Sequence, residues 1–183
     1  MKTTRQAKCI AVGMALALAS IRVSADTAPV CPIVPVPKVY RDLDRTVPLA
    51  GPDAMAIVVG DKALETERYA AQRLQELLQR RFKMRLPIVA EGELKDTMRQ
   101  VILLGQRSTN GLLDTICQKQ KLDLSPTSPG HDGFLIEMVE RDGRQIVVIG
   151  GSNARGVMYG QDVFFVLVTR DAEQVVFRLV SLR

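Results

Sequence analysis

The stretch of this chain best equipped for chemistry is Ile149 to Gly156, IGGSNARG. An apolar run that ends in a glycine pair and meets a helix start can hold an anion through its backbone N–H groups. The stretch lacks both the G-x-G-x-x-G spacing and the lysine of G-x-x-x-x-G-K-[ST]. A tight turn at Gly150 and Gly151, with Ser152 or Asn153 capping a helix, accounts for it more simply. Arg155 is then left for a structural ion pair or the wall of a cleft. His131 is the single histidine and sits in PGHDGF, Pro129 to Phe134. A metal site needs several suitable ligands and a general base needs a positioned partner. Neither accompanies His131, so it reads as a turn residue. Glu137 and Glu140 follow it, but a glycosidase pair must flank one cleft at a defined separation, and their spacing assigns no such role. There is no G-x-S-x-G elbow. The absence of Trp and the scarcity of other aromatics argue against a stand-alone site that stacks rings on sugars. No catalytic, cofactor-binding or metal-ligating residue is assigned, and no cofactor is expected.

The N-terminus sets the composition in context. Met1 to Lys8 carries Lys2, Arg5 and Lys8 and no acid, Cys9 to Ile21 is almost wholly apolar, and Val23-Ser24-Ala25 offers a small-x-small exit. This is the pattern of a secretory signal peptide cut before Asp26. The 13 apolar residues, closed by Arg22, fall short of the ~20 that span a bilayer, so no stable membrane anchor is expected. Removing residues 1–25 takes away four basic residues and no acid. That leaves 21 Lys+Arg against 20 Asp+Glu over 158 residues, a net charge of +1 in place of +5. A nucleic-acid footprint needs a basic excess, and this class is excluded. The expected location is exported, periplasmic or extracellular. Two cysteines then remain, Cys31 and Cys117. Export permits a disulfide between them, and two independent thiols are the equal alternative.

The elements that must position these residues are legible in outline. Residues 26–53 hold six of the nine prolines and read as an arm or linker, with the valines at 34, 36 and 39 able to lie along a sheet edge. Ala54 to Val59 reads as a buried strand. Leu64 to Phe82 is a helix with one apolar stripe, Ala70, Ala71, Leu74, Leu77, Leu78 and Phe82, and a charged remainder that includes Glu67 reads as a solvated face. Leu86 to Ala90 is a short strand in which Pro87 argues for its first residue or for an edge, and Gln100 to Gly105 is a further strand. The polar segment 106–130 shows only weak helical periodicity around Leu112 to Gln118. Gly133 to Glu140 and Arg144 to Gly150, joined through Asp142-Gly143, form a hairpin. A helix follows over Ala154 to Val168, and Gln174 to Val180 is a strand leaving the domain. This order predicts an α/β (α+β) fold, a mixed sheet with two helices packed on one face. The domain spans 54–170, and 171–183 begins a further segment.

Three segments carry a resemblance: ERYAAQRLQELLQRR (Glu67 to Arg81), QVILLG, and PGHDGFLIEMVERDGRQIVVIGGSNARGVMYG (Pro129 to Gly160). Their order, with the specific parts Asp132-Gly133-Phe134, Val147 to Gly151 and Asn153 to Gly160, resembles the N-terminal domain of bacterial β-N-acetylhexosaminidase-like glycoside hydrolases. It is similar also to the domains that precede the barrels of α-glucuronidases. The resemblance implies a non-catalytic accessory domain, secreted and engaged in carbohydrate metabolism, whose partner is a catalytic TIM-barrel domain. It implies too that an adjacent Asp-Glu catalytic pair lies in that barrel. A barrel takes about 250 residues, and 23 follow Gly160, so no catalytic residue carries over to this chain. The competing expectation is a stand-alone exported module that binds a glycan or a protein. The first predicts an apolar surface awaiting its barrel, the second a closed polar surface.

Overall fold

The computed structural model describes residues 31, 33 and 37–182; the expected leader and its cut before Asp26 lie outside them. Among the described residues the chain forms one eight-stranded sheet and three α-helices. The strands are β1 (Tyr40–Pro48), β2 (Met55–Val59), β3 (Ile88–Ala90), β4 (Gln100–Gly105), β5 (Phe134–Arg141), β6 (Arg144–Gly151), β7 (Val168–Asp171) and β8 (Gln174–Leu182). The helices are α1 (Glu65–Phe82), α2 (Gly111–Gln120) and α3 (Ala154–Leu167). The sheet runs β1-β8-β5-β6-β4-β2-β3, with β7 also paired to β8. β3, β2, β4 and β6 are mutually parallel, and β5, β8 and β1 continue antiparallel.

Why the central strands read as unbroken apolar runs is now plain. A strand covered on both faces must be apolar at every position, not every second one. Met55, Ile57, Val59, Ile102, Leu104, Val147 and Ile149 face one core with Ala70, Leu74 and Leu78 of α1 and Val157 and Phe164 of α3. The intervening Ala56, Val58, Val101, Leu103, Ile146 and Val148 face a second core with Leu113, Ile116 and Cys117 of α2. The mixed sheet with α1 and α3 on one face is as the pattern predicts. α2, whose periodicity is weak, covers the opposite face. It is short, and only Leu113, Ile116 and Cys117 of it are buried, so its apolar stripe is narrow.

Two stretches differ from the sequence expectation. Tyr40–Pro48, within the proposed linker, is an edge strand paired with β8. Gln174–Leu182, expected to leave the domain, lies between β1 and β5, with Val175, Phe177, Val180 and Leu182 buried in the first core. Phe177 stacks near Phe164 of α3, ring centroids 4.9 Å apart. The period-two apolarity was visible; its partners, far away in sequence, were not. The cysteines answer their question by position. Cys31 packs against the first core and Cys117 is buried in the second. Both are free thiols with the sheet between them.

β1 is held at a bulge between Asp42 and Thr46. The Asp42 side chain, 2% exposed, pairs with the Arg178 guanidinium of β8 and accepts from the Asp44 N–H at 3.0 Å. Burial alone pushes its carboxyl upward, but these donors and the Tyr40 hydroxyl outweigh burial and hold it below the usual 3.8. A lowered carboxyl stabilises the fold above its ordinary pKa, and that contribution is lost as pH falls through the folded value. Asp42→Asn is therefore expected to melt below the parent at neutral pH, the two midpoints converging as acid is added below about pH 4. Parallel melting curves across that range, followed by circular dichroism, would contradict this.

Candidate functional site

In open α/β sheets ligands bind outside the carboxyl ends of parallel strands, where the connections diverge to opposite faces. Here that place lies between β2, whose helix α1 covers the first face, and β4, whose helix α2 covers the second. The crevice is filled by the chain itself. Glu67, on the first turn of α1, is fully buried. Its Oε2 accepts the Leu64 N–H at 2.7 Å, and its Oε1 accepts the Gln106 N–H at 2.9 Å and the Thr109 hydroxyl at 2.8 Å. Backbone closeness reinforces the closure, because a Cβ on Gly60 would stand 2.0 Å from the Thr109 carbonyl oxygen. The charged remainder of α1 is thus not uniformly solvated: Glu67 is its exception. The signal lay in its position, three residues after Leu64, where a glutamate reaches back to the helix's first free amide.

The N-terminus of α2 is occupied in the same manner. Asn110, buried and capping, accepts the Leu113 N–H at 2.9 Å and donates to the Leu104 carbonyl at 3.1 Å. Glu91, from the 3₁₀ turn after β3, accepts the N–H groups of Asp61 at 3.1 Å, Gly111 at 3.0 Å and Leu112 at 2.5 Å. An anion would find these donors already taken by a carboxylate.

The third strand end carries the segments singled out in the sequence. The Gly133 carbonyl accepts the Ser152 N–H at 2.9 Å, and the Ser152 hydroxyl donates to the Gly130 carbonyl at 2.7 Å. Asn153 caps α3 by accepting the Gly156 N–H at 2.9 Å and donates to Asp132 at 2.7 Å. Gly156 permits the contact: a Cβ there would stand 2.1 Å from the Gly133 oxygen. PGHDGF and GGSNARG therefore form one backbone knot. Arg155, as expected of a structural partner, reaches Asp132 at 3.3 Å, and the His131 ring, 78% exposed, lies 3.3 Å from the same carboxylate. Glu137 is engaged by the Ser181 hydroxyl of β8, and Glu140 is exposed beside the hairpin turn. The structure does not bring His131, Glu137 and Glu140 into one catalytic arrangement. A cleft of about 310 Å³ opens beside the knot, lined by Arg107, Asp114 and Ser152 among others. Its arginine is already satisfied by Asp114 at 2.7 Å and the Leu124 carbonyl at 3.0 Å. Cys117 is buried in the second core, and that burial pushes its thiol up.

These closures generate a stability prediction. Glu67→Ala leaves the Leu64 and Gln106 N–H groups, both part-buried, and the Thr109 hydroxyl without this acceptor, and should cost about 1–3 kcal/mol. Gly156→Ala forces the knot apart and should cost about 1–3 kcal/mol. Urea midpoints measure both, and changes within experimental error would remove these contacts from the account.

The comparisons with known proteins agree with this picture of the fold. CpGH84B superposes with a TM-score of 0.55 at 17% identity, over 82% of this chain and 22% of that one. An inactive mutant of the GH20 exo-β-N-acetylglucosaminidase from Vibrio harveyi gives 0.50 at 14% identity, over 82% and 18%. The chain thus spans about a fifth of the length of these structures, and at such identities the likeness is one of fold. No curated protein matches the sequence. The model of the glycosyl hydrolase family 67 N-terminus matches residues 49–164, from the residues before β2 through most of α3. That match takes in the Glu67 crevice, the hairpin and the knot, and by it the chain belongs to the family of glycosyl hydrolase family 67 N-terminal domains.

Proposed function

We propose that this chain is an exported, non-catalytic accessory domain of a β-N-acetylhexosaminidase-type glycoside hydrolase, serving to buttress a catalytic barrel. The observation that carries the reading is the self-filled end of the sheet. Two carboxylates at the place where such sheets take ligands, Glu67 and Glu91, are spent on backbone amides of the domain. Membership in the N-terminal family supplies the partner class, and the leader-like N-terminus supports export.

The outer side of the α1–α3 layer is the surface offered to that partner. Tyr69 on α1 and Tyr159 and Val166 on α3 are 53%, 49% and 52% exposed. Between the helices, Arg73 and Asp162 pair at 3.1 Å. Large side chains left half in water on neighbouring helices suit a surface that another domain covers.

The purified chain is expected to show no turnover of chromogenic N-acetylglucosaminides, with His131→Ala indistinguishable from the parent. Turnover abolished by a point change within this chain would place the active site here and sink the proposal. Tyr69→Lys with Val166→Lys should weaken association with a separately expressed barrel domain of the same family by about ten-fold or more. Unchanged association would remove this face from the interface.

A further inference from the structure

At the opposite end of the sheet three arginines stand in one row. Arg141 and Arg144 are direct partners across the β5–β6 hairpin. Arg99 precedes β4, and its carbonyl accepts the Gln145 N–H at 2.9 Å. The parallel register that pairs Gln100 with Gln145 sets Arg99 beside Arg144. Like charges directly opposite on neighbouring strands destabilise a sheet, so the row works against the fold unless an anion meets it.

The chain's own acids meet it only at the rim. Arg144 reaches Asp96 at 2.6 Å and Arg141 reaches Asp142 at 3.1 Å, but Asp96 is fully exposed and Asp142 is 79% exposed. Ion pairs in water contribute little. Among the described residues Arg99 has no ion-pair partner, and Nη1 of Arg141 is buried without a hydrogen-bond acceptor. The three line a cleft of about 560 Å³ together with the carboxylates of Glu140 and Asp142, both at its exposed rim, and with Gln100 and Gln145, whose amides are joined at 2.9 Å. At the hairpin tip Nη1 of Arg99 lies 3.8 Å from where a Cβ on Gly143 would stand, ordinary contact distance.

We propose that this row is a binding site for a tetrahedral oxyanion of the sulfate or phosphate class, taken up either free or carried on a sugar. Guanidinium forks match the oxygens of carboxylate and phosphate. Three of them on one cleft call for more acceptor oxygens than a planar carboxylate presents.

The test is a calorimetric titration of the full chain with inorganic sulfate, ionic strength held constant with chloride. Saturable binding in about the millimolar range is expected, weakened about ten-fold in Arg99→Gln and in Arg144→Gln. Without sulfate, Arg99→Gln should melt no lower than the parent, because it relieves repulsion and breaks no bond. A linear, unsaturable response, equal affinity in the variants, or a lower midpoint for Arg99→Gln would each overturn the site. A sulfated oligosaccharide beside its unsulfated counterpart separates the sources. A markedly tighter fit of the sulfated sugar than of free sulfate identifies a sugar-borne group, and parity identifies the free anion; both uphold the site.

Discussion

A carboxylate sealed from water has to be met by donors, and Glu67 is met from two separate segments of the chain. Leu64 supplies the free amide at the head of α1, while Gln106 and Thr109 supply an amide and a hydroxyl from the loop after β4. The single side chain thereby caps one helix and fixes the loop that leads into another. With Asn110 it sets where α2 begins, and α2 closes the second core. Removing that anchor would leave the Leu64 and Gln106 amides without their acceptor at the point where the sheet changes the face it sends its helices to.

The same logic distinguishes the two ends of the sheet. At the carboxyl ends of β2, β4 and β6, acids and backbone donors are matched within the domain, and glycines let the loops touch backbone to backbone. At the other end, charges of one sign are aligned by strand register and matched only loosely. Regions where a chain satisfies itself resist further chemistry. Regions where it does not are where an external group gains most.

Much of this is legible in the sequence, and the limits have physical reasons. The central strands, α1, the hairpin and α3 announce themselves because their periodicities are local and their apolar positions dense. α2 was faint because its stripe is short. β1 and β8 were misplaced because the register joining them pairs Tyr40 with Leu182, a relation that no local window contains. Glu67 read as surface because a charge on an amphipathic helix usually is surface; only its distance from the helix start betrayed it. The knot of PGHDGF with GGSNARG reads from sequence as two turns, since the oxygen of Gly133 and the bare Cα of Gly156 meet only once the sheet is built.

That β1–β8 pairing also has a consequence in time. A ribosome delivers β1 first and β8 last, yet β8 lies inside the sheet, flanked by β1 on one side and by β5 and β7 on the other. Until its final residues emerge, β1 has no ladder to join and β5 presents an open edge, the kind of strand that pairs with other chains. Closure of this sheet therefore waits on a pairing between strands far apart in sequence, the mark of non-local β topology. A nascent chain paused before Val175 would carry all three of the described α-helices and none of the sheet's closure.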